Sequence, residues 1–99
     1  MVKELLSKFT KKKILFKKPN DLLIDKKKIS GILQEVISIN DNKFLITGIG
    51  INITKNPKIR NNPSTNLQEV TKKSINKSNV ENKLKQLFEK SLFKLYKIK

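Results

Sequence analysis

The chain has 99 residues and a formal net charge of +15, so it is long enough for one small domain with a thin hydrophobic core. The sequence contains neither cysteine nor histidine, which excludes disulfides, thiolate metal sites, a cysteine nucleophile and a histidine general base. The sequence shows no apolar run long enough to span a bilayer and no signal-peptide core, so we expect a cytoplasmic protein without a membrane partner.

The positive charge alone does not predict specific nucleic-acid binding. Arg60 is the only arginine, and the lysines run from Lys3 to Lys99 without forming one face. Base recognition favours arginine and base stacking favours aromatic residues, of which there are few here. We therefore expect weak phosphate attraction at low salt and no specific nucleic-acid partner.

The N-terminal third predicts a helix followed by two short strands. Apolar residues in Val2–Phe9 recur at i, i+3, i+4 and i+7, which is typical of a helix. A brief buried strand is predicted at Ile14–Phe16 and a second strand at Leu22–Ile24. The turn between them contains Pro19, which cannot donate a hydrogen bond to a strand ladder.

A long β-hairpin is predicted next. The tight connection Asp25–Lys27 leads into a strand over Lys28–Ile39, which we expect to be covered on both faces at its start and on one face later. Asn40–Asn42 has strong turn chemistry, and the chain returns as a strand over Lys43–Thr54. Two glycines inside this strand are costly, which indicates close approach of a backbone or a ligand.

The C-terminal third predicts helices. A polar loop at Asn56–Asn62 precedes a short helix over Ser64–Val70, with Ser64 or Thr65 as its N-cap. Residues 71–78 form a predicted linker. An amphipathic helix is predicted over 79–97, with its apolar face formed by Val80, Leu84, Leu87, Phe88, Leu92, Leu95 and Tyr96. The element order predicts an α+β fold, a mostly antiparallel sheet with flanking helices, whose core spans residues 2–70.

Three short motifs follow one another along the predicted strands. They are K-K-P-N-D at Lys17–Asp21, K-I-S-G-I-L-Q-E at Lys28–Glu35 and G-I-G-I-N at Gly48–Asn52. In this order and spacing the chain resembles biotin–protein ligases, which carry K-W-P-N-D, K-[hydrophobic]-[small]-G-I-L-x-E and G-I-G-x-N. Pro63–Leu67 falls where that family has an A-T-S-L-like segment. The resemblance covers most of Val2–Leu67 and implies that residues 1–99 are the C-terminal part of a class-II-synthetase-like biotin/lipoate ligase catalytic domain.

The resemblance implies an activity and its participants. Biotin–[acetyl-CoA-carboxylase] ligases join biotin to ATP, giving biotinyl-AMP, and then transfer biotin to a lysine of a biotin carboxyl carrier protein. ATP, biotin and Mg²⁺ are the implied cofactors. Lys28 is the implied catalytic residue and also contacts biotin, because a fixed ammonium stabilises the negative charge that develops at the α-phosphate. Without the surrounding motif, Lys28 would be interpreted as an ordinary solvent-exposed lysine.

The resemblance assigns further residues to ligands, and each has a simpler explanation. Gly31 implies biotin lying against the backbone, with a β-bulge as the alternative. Asn20 and Asp21 imply contacts to the nucleotide, with Asp21 as a ligand to Mg²⁺, although Pro-Asn-Asp is also a common turn. The resemblance implies that Asn52 recognises adenine, since a carboxamide both donates and accepts hydrogen bonds. The alternative is that Asn52 is a turn residue. Gly48 and Gly50 imply room for the adenine ring.

The chain departs from the family pattern in three respects. Lys18 replaces the family Trp, and Lys26 replaces a Gly in the turn before Lys28, so we expect a different turn geometry because lysine resists positive φ. The Gly/Arg-rich loop of the family lies upstream of K-W-P-N-D, and no glycine precedes Lys17. The resemblance therefore implies a partial site, with two alternatives open: a half-enzyme that pairs with a separately encoded N-terminal half, or the relic of a broken gene.

Two other functions stay open at this point. One is a small basic binding module for RNA or protein that keeps the fold without catalysis. The other is a lipoate–protein ligase, which shares the fold and the adenylation chemistry, although K-x-P-N-D together with K-I-S-G-I-L favours biotin.

Overall fold

One antiparallel sheet of four strands organises the molecule, and each strand pairs with the next along the chain. The computed structural model describes residues 1–97, with side chains described as far as Ser91. The strands are β1 (Ile14–Lys17), β2 (Asp21–Ile24), β3 (Lys27–Ile39) and β4 (Asn42–Ile51). The predicted α+β fold with an antiparallel sheet is confirmed. Only Ile14 of β1 is buried, however, so the prediction of a buried first strand is wrong for Leu15 and Phe16.

Three helices accompany the sheet: α1 (Val2–Ser7), α2 (Leu67–Thr71) and α3 (Lys77–Lys97). The helix α3 begins two residues earlier than predicted because the Asn76 side chain accepts hydrogen bonds from the backbone N–H groups of Ser78 and Asn79. The linker is therefore residues 72–76. The predicted apolar positions Leu92, Leu95 and Tyr96 lie outside the residues whose side chains are described. Within residues 1–97, no helix is both long and apolar enough to cross a membrane.

The hydrophobic core lies where the helices meet the first strands and the start of β3. It contains ten buried apolar side chains: Val2, Leu5, Leu6, Ile14, Leu22, Ile24, Ile29, Leu67, Val80 and Leu87. Every helix and the first three strands contribute to this set, so the core joins residues that are far apart in the sequence. The helical stripe predicted for the N-terminus supplies three of these side chains, which confirms its amphipathic character.

The second half of the β3–β4 hairpin extends beyond this core. Leu33 is 69% exposed, and Val36 and Leu45 are each 64% exposed. The prediction that the later part of β3 is covered on one face is therefore wrong. A groove lined by residues of α1 and α3 includes Ile32, Gln34, Thr47 and Ile49 of the hairpin, and most strand residues beyond it are exposed.

Two-residue turns with positive φ close the β2–β3 and β3–β4 hairpins. Asp25 and Lys26, with φ of 51° and 64°, join β2 to β3, and Asn40 and Asp41, with φ of 51° and 66°, join β3 to β4. Lys26 adopts the positive φ that lysine resists, so the expectation that it changes the geometry of this turn is wrong. A left-handed residue costs about 1–2 kcal/mol, whereas burying one aliphatic side chain gains about 1.5–3 kcal/mol. The flanking Ile24 is 1% exposed, so core packing outweighs the strain at Lys26.

Replacing Lys26 with glycine is expected to stabilise the fold by about 0.5–1 kcal/mol, since the relief of left-handed strain exceeds the added entropy of the unfolded chain. The measurement is the midpoint of urea unfolding. Lys27→Gly is the matched control, because Lys27 lies within β3 and glycine there costs about 0.5–1 kcal/mol. A midpoint lowered equally by both variants would contradict this account.

Candidate active site

The backbone of Lys28 is fixed from two sides. Its N–H donates to the Pro63 carbonyl at 2.9 Å, and its own carbonyl accepts from the Thr65 N–H at 2.8 Å. A β-bulge follows immediately: Leu23 pairs with Lys28 and Leu22 with Ser30, which leaves Ile29 as the extra residue of β3. The bulge is therefore at Ile29, not at Gly31, which keeps regular partners on both neighbouring strands.

The Lys28 ammonium lies against the Asp21 carboxylate, with Nζ and Oδ1 3.2 Å apart. Both side chains are partly exposed, at 38% and 27% respectively. Gly31 is the strand partner of Asp21, and a Cβ there would come within 3.3 Å of Lys28 Cε and Nζ. The absence of a side chain at Gly31 therefore makes room for the end of the lysine. The sequence analysis predicted instead that biotin occupies this space beside Gly31.

A small cavity lies beside this ion pair. Its volume is about 220 Å³. Its lining residues are Lys28, Ser30, Gly31, Gly50, Asn52, Pro57, Ile59, Asn62 and Ser64. Four of the sequence-predicted site residues thus meet at one cavity, namely Lys28, Gly31, Gly50 and Asn52. Binding pockets for small molecules usually have about 300–1,000 Å³, so this cavity encloses part of a ligand rather than a whole nucleotide with a second substrate.

Gly48 and Gly50 leave bare backbone on β4. A Cβ at Gly48 would meet nothing closer than the Leu33 carbonyl at 3.9 Å, and one at Gly50 nothing closer than the Gly31 carbonyl at 3.8 Å. Neither glycine has a positive φ. The packing and the conformation of the chain therefore require neither glycine, which favours the hypothesis that a ligand approaches this strand. Gly50 lines the cavity, whereas Gly48 lies two residues further along β4.

Asn52 and Asn20 have structural contacts of their own. The Asn52 side-chain NH₂ group donates to the Thr65 carbonyl at 3.0 Å and more weakly to the Lys28 carbonyl at 3.5 Å. Asn52 thus joins the end of β4 to the segment that holds Lys28. Asn20 immediately precedes β2, and its backbone carbonyl accepts from the Ile32 N–H at 2.8 Å, outside the cavity lining. Recognition of adenine by Asn52 and of the nucleotide by Asn20 stay predictions.

Sequence reasoning missed one polar group that shapes the cavity. Ser30 is 1% exposed, and its hydroxyl donates to the Gly50 carbonyl at 2.7 Å. The only signal for it was its small size within K-I-S-G. The loop prediction for Asn56–Asn62 was correct but did not show that Pro57, Ile59 and Asn62 reach the cavity.

The predicted N-caps of α2, Ser64 and Thr65, are wrong. The N-cap is Asn66, whose side chain accepts from the Glu69 N–H at 2.8 Å. The Ser64 hydroxyl instead donates to the Pro57 carbonyl, and the Thr65 backbone pairs with Lys28. These bonds keep the chain extended at the cavity, so the helix begins later than predicted.

Asp21 is the acidic group available to a metal ion at this site. Among the described residues there is no cluster of three or more acidic or histidine side chains able to hold a metal by themselves. Mg²⁺ in nucleotide sites commonly takes one or two carboxylates together with the phosphates. A single carboxylate at Asp21 fits that pattern and does not fit a metal site made by protein alone.

Comparison with known proteins identifies the family. The pattern of the Biotin/lipoate A/B protein ligase family matches residues 1–52. The chain belongs to this family. Apo biotin protein ligase from Aquifex aeolicus is 34% identical, with a TM-score of 0.73 over 94% of this chain and 41% of that chain. A mutant of the same enzyme in complex with biotin is 34% identical, with a TM-score of 0.73 over 94% of this chain and 39% of that one.

The complex of the Aquifex aeolicus enzyme with biotin and ATP is 33% identical, with a TM-score of 0.72 over 94% of this chain and 39% of that one. The chain thus spans about two-fifths of the length of these biotin protein ligases. No curated protein matches the chain. The predicted biotin/lipoate ligase catalytic fold is confirmed, and the ligand contacts of individual residues stay predictions.

Proposed function

We propose that this chain supplies the lysine-bearing, nucleotide-facing part of a biotin protein ligase active site. The reaction is activation of biotin by ATP to biotinyl-AMP, followed by transfer to a lysine of the biotin carboxyl carrier protein of acetyl-CoA carboxylase, with the cytoplasm as the proposed compartment. The observation that carries the proposal is the Lys28 ammonium, held against Asp21 and over Gly31 at a cavity lined by Gly50 and Asn52. Structures of the similar Aquifex aeolicus enzyme with biotin and ATP support it.

In the first step, an oxygen of the biotin carboxylate attacks the α-phosphorus of ATP, and the bond to pyrophosphate breaks. Negative charge grows on the phosphoryl oxygens as this happens. Lys28 is placed to donate to both the biotin carboxylate and an α-phosphate oxygen, which stabilises that charge where it develops. Asp21 keeps the flexible lysine side chain at the cavity before ligands arrive. Asp21 would supply one carboxylate ligand to Mg²⁺, which would neutralise phosphate charge.

In the second step, the amine of the acceptor lysine attacks the carbonyl carbon of biotinyl-AMP. The new amide forms as the bond to AMP breaks, and the departing phosphate regains its negative charge beside Lys28. The exposed backbone at Gly48 and Gly50 accommodates the adenine ring in this proposal. The cavity of about 220 Å³ is too small for both substrates, so the remaining walls come from the portion of the fold that this chain does not cover.

The chain contains only three glycines, Gly31, Gly48 and Gly50, and all of them belong to the proposed site. Selective ¹⁵N-glycine labelling therefore gives three amide NMR signals, each a reporter on the ligands. We expect Gly31 to respond to biotin, and Gly48 and Gly50 to respond to ATP with Mg²⁺. The measurement is a titration of each ligand, followed by a titration of both together.

A charged nucleotide can also bind non-specifically to a chain of this net charge, so the titration needs a control for charge. Pyrophosphate with Mg²⁺ supplies comparable charge without adenine and is expected to leave Gly48 unchanged. Three glycine signals that stay fixed with biotin and ATP at millimolar concentration would overturn the proposed function.

A further inference from the structure

A short loop, residues 57–62, forms one wall of the candidate active site and is here called the cavity loop. Its residues Pro57, Ile59 and Asn62 line the cavity of about 220 Å³ that also holds Lys28. Every residue of the cavity loop is exposed, so no buried side chain fixes its position. The position of this wall therefore depends on hydrogen bonds between the loop and the rest of the fold.

Three polar side chains connect the cavity loop to the start of α2. The Asn66 Nδ2 group donates to Asn56 Oδ1 at 2.7 Å, and the Asn56 Nδ2 group donates to Ser64 Oγ at 2.7 Å. The Ser64 hydroxyl in turn donates to the Pro57 carbonyl at 2.6 Å. All three distances lie at the short end of the range for such bonds. They form one continuous chain of hydrogen bonds, here called the polar relay, that ends on the backbone of the loop.

The direction of the polar relay is set at Asn66. Its Oδ1 accepts from the Glu69 N–H at 2.8 Å as the N-cap of α2, so the NH₂ end of the same amide faces Asn56. Asn56 then presents its oxygen to Asn66 and its NH₂ group to Ser64. A hydroxyl that accepts a hydrogen bond still has its own proton to donate, and the Pro57 carbonyl receives it. The helix cap thus decides, through two intervening side chains, whether the loop backbone is held.

The inner end of the polar relay is anchored in the core. Asn66 is 8% exposed, and the adjacent Leu67 is 0% exposed. The Leu67 N–H also donates to the Asn52 carbonyl at 2.9 Å, which bonds the start of α2 to the residue that follows β4. The relay therefore joins a fixed anchor to an exposed loop. In such an arrangement a few hydrogen bonds decide how often the loop opens.

We propose that Asn66, Asn56 and Ser64 are positioning residues that hold the cavity loop against the candidate active site before any ligand binds. They act through the loop, whose position sets the shape of the cavity. This inference rests on the proposed function for the identity of the ligand, ATP. The hold on the loop is nevertheless measured without a ligand, so the two proposals fail separately.

Asn66→Asp reverses the polar relay while it keeps the helix cap. Aspartate caps a helix as well as asparagine does, and its charge is favourable at a helix N-terminus. The new carboxylate has no NH₂ group, so the Asn56 amide turns over, donates to it and presents its oxygen to Ser64. The Ser64 hydroxyl then donates to Asn56, and the Pro57 carbonyl loses its hydrogen bond. Ser64→Ala removes the same bond directly.

The sole arginine of the chain, Arg60, lies in the cavity loop and gives a direct measure of loop opening. A protease specific for arginine cuts the 99-residue chain once, and the rate of that cut follows the fraction of molecules whose loop is open. Asn66→Asp and Ser64→Ala are each expected to raise this rate about fivefold, the factor for the loss of one hydrogen bond. The double variant is expected to be cut no more than about twofold faster than either single variant, because both substitutions remove the same bond.

Ligand binding supplies the measurement that separates positioning from stability. Gly50 lines the same cavity as the loop, so the concentration of ATP with Mg²⁺ that half-shifts its amide signal measures affinity. This concentration is expected to rise about threefold or more in Asn66→Asp, because fewer molecules have the loop in place. A merely structural role would lower the thermal unfolding midpoint and leave the half-shift concentration unchanged.

Asn82→Asp is the matched control, since it makes the same change of charge at an exposed position of α3. Its cleavage rate and half-shift concentration are expected to stay within about twofold of the unmodified chain. Equal cleavage of Asn66→Asp and this control would overturn the proposal, and so would faster cleavage with an unchanged half-shift concentration. Glycine signals that ignore ATP in the unmodified chain, with faster cleavage in Asn66→Asp, would support the hold on the loop and overturn the proposed function.

Discussion

Replacing Lys28 with alanine is expected to lower biotin-dependent ATP–pyrophosphate exchange by about 10²–10³-fold, the usual cost of removing one charge-stabilising donor from a transition state. The side chain is 38% exposed and contributes its charge at the cavity rather than its volume in the core. The fold is therefore expected to persist, with an unchanged thermal unfolding midpoint. Exchange is measured on the chain supplemented with the part of the Aquifex aeolicus biotin protein ligase that has no counterpart in it.

The neighbouring Lys27 provides the matched control for the loss of one lysine. It is exposed and lies on the same strand, outside the cavity that holds Lys28. Lys27→Ala is expected to keep exchange within twofold. Equal losses in the two variants would assign the effect to general positive charge and would remove Lys28 from its proposed catalytic role. Lys28→Arg adds a further comparison, since arginine keeps the positive charge but replaces the compact ammonium with a larger, planar guanidinium.

The regular elements were predictable because their signals are local. Apolar spacing in Val2–Phe9 and the turn chemistry of Asn40–Asp41 correspond directly to α1 and to the β3–β4 turn. The resemblance of three ordered motifs predicted the fold family, which the match to residues 1–52 confirms. Such patterns specify secondary structure and its order without any knowledge of long-range contacts.

The site was less predictable because its geometry depends on contacts distant in sequence. The ion pair between Asp21 and Lys28 follows from the strand register and the bulge at Ile29, which no local pattern reports. The bonds from Pro63 and Thr65 to Lys28 span more than 30 residues, and they delay the start of α2 until its N-cap Asn66. Lys26 shows the same effect, since hairpin closure overrides its conformational preference.

The outer part of the β3–β4 hairpin, residues 33–48, shows a different limit of sequence reasoning. Its apolar residues predicted a covered face, yet Leu33, Val36 and Leu45 are exposed among the described residues. Composition indicates that a strand is apolar, and it does not show which of its side chains become buried.

Replacing Ile29 with alanine is expected to destabilise the fold by about 2–5 kcal/mol, the range for truncating a fully buried isoleucine. Ile29 is 0% exposed and is the bulged residue between Lys28 and Ser30, so the core holds the site in place through it. Folded proteins of this size retain only about 5–15 kcal/mol of stability, so the loss is a large fraction of the total. Urea unfolding followed by circular dichroism measures it.

Two controls separate the loss of packing from the loss of a side chain. Ile29→Val removes one methylene and is expected to cost about 0.5–1.5 kcal/mol. Leu15→Ala removes a similar aliphatic side chain from a position that is 47% exposed, and it is expected to cost clearly less than Ile29→Ala. Equal destabilisation by Leu15→Ala and Ile29→Ala would contradict the assignment of Ile29 to the core. A large loss at Ile29 alone would show that the strand segment next to Lys28 depends on the packing of Ile29 in the core.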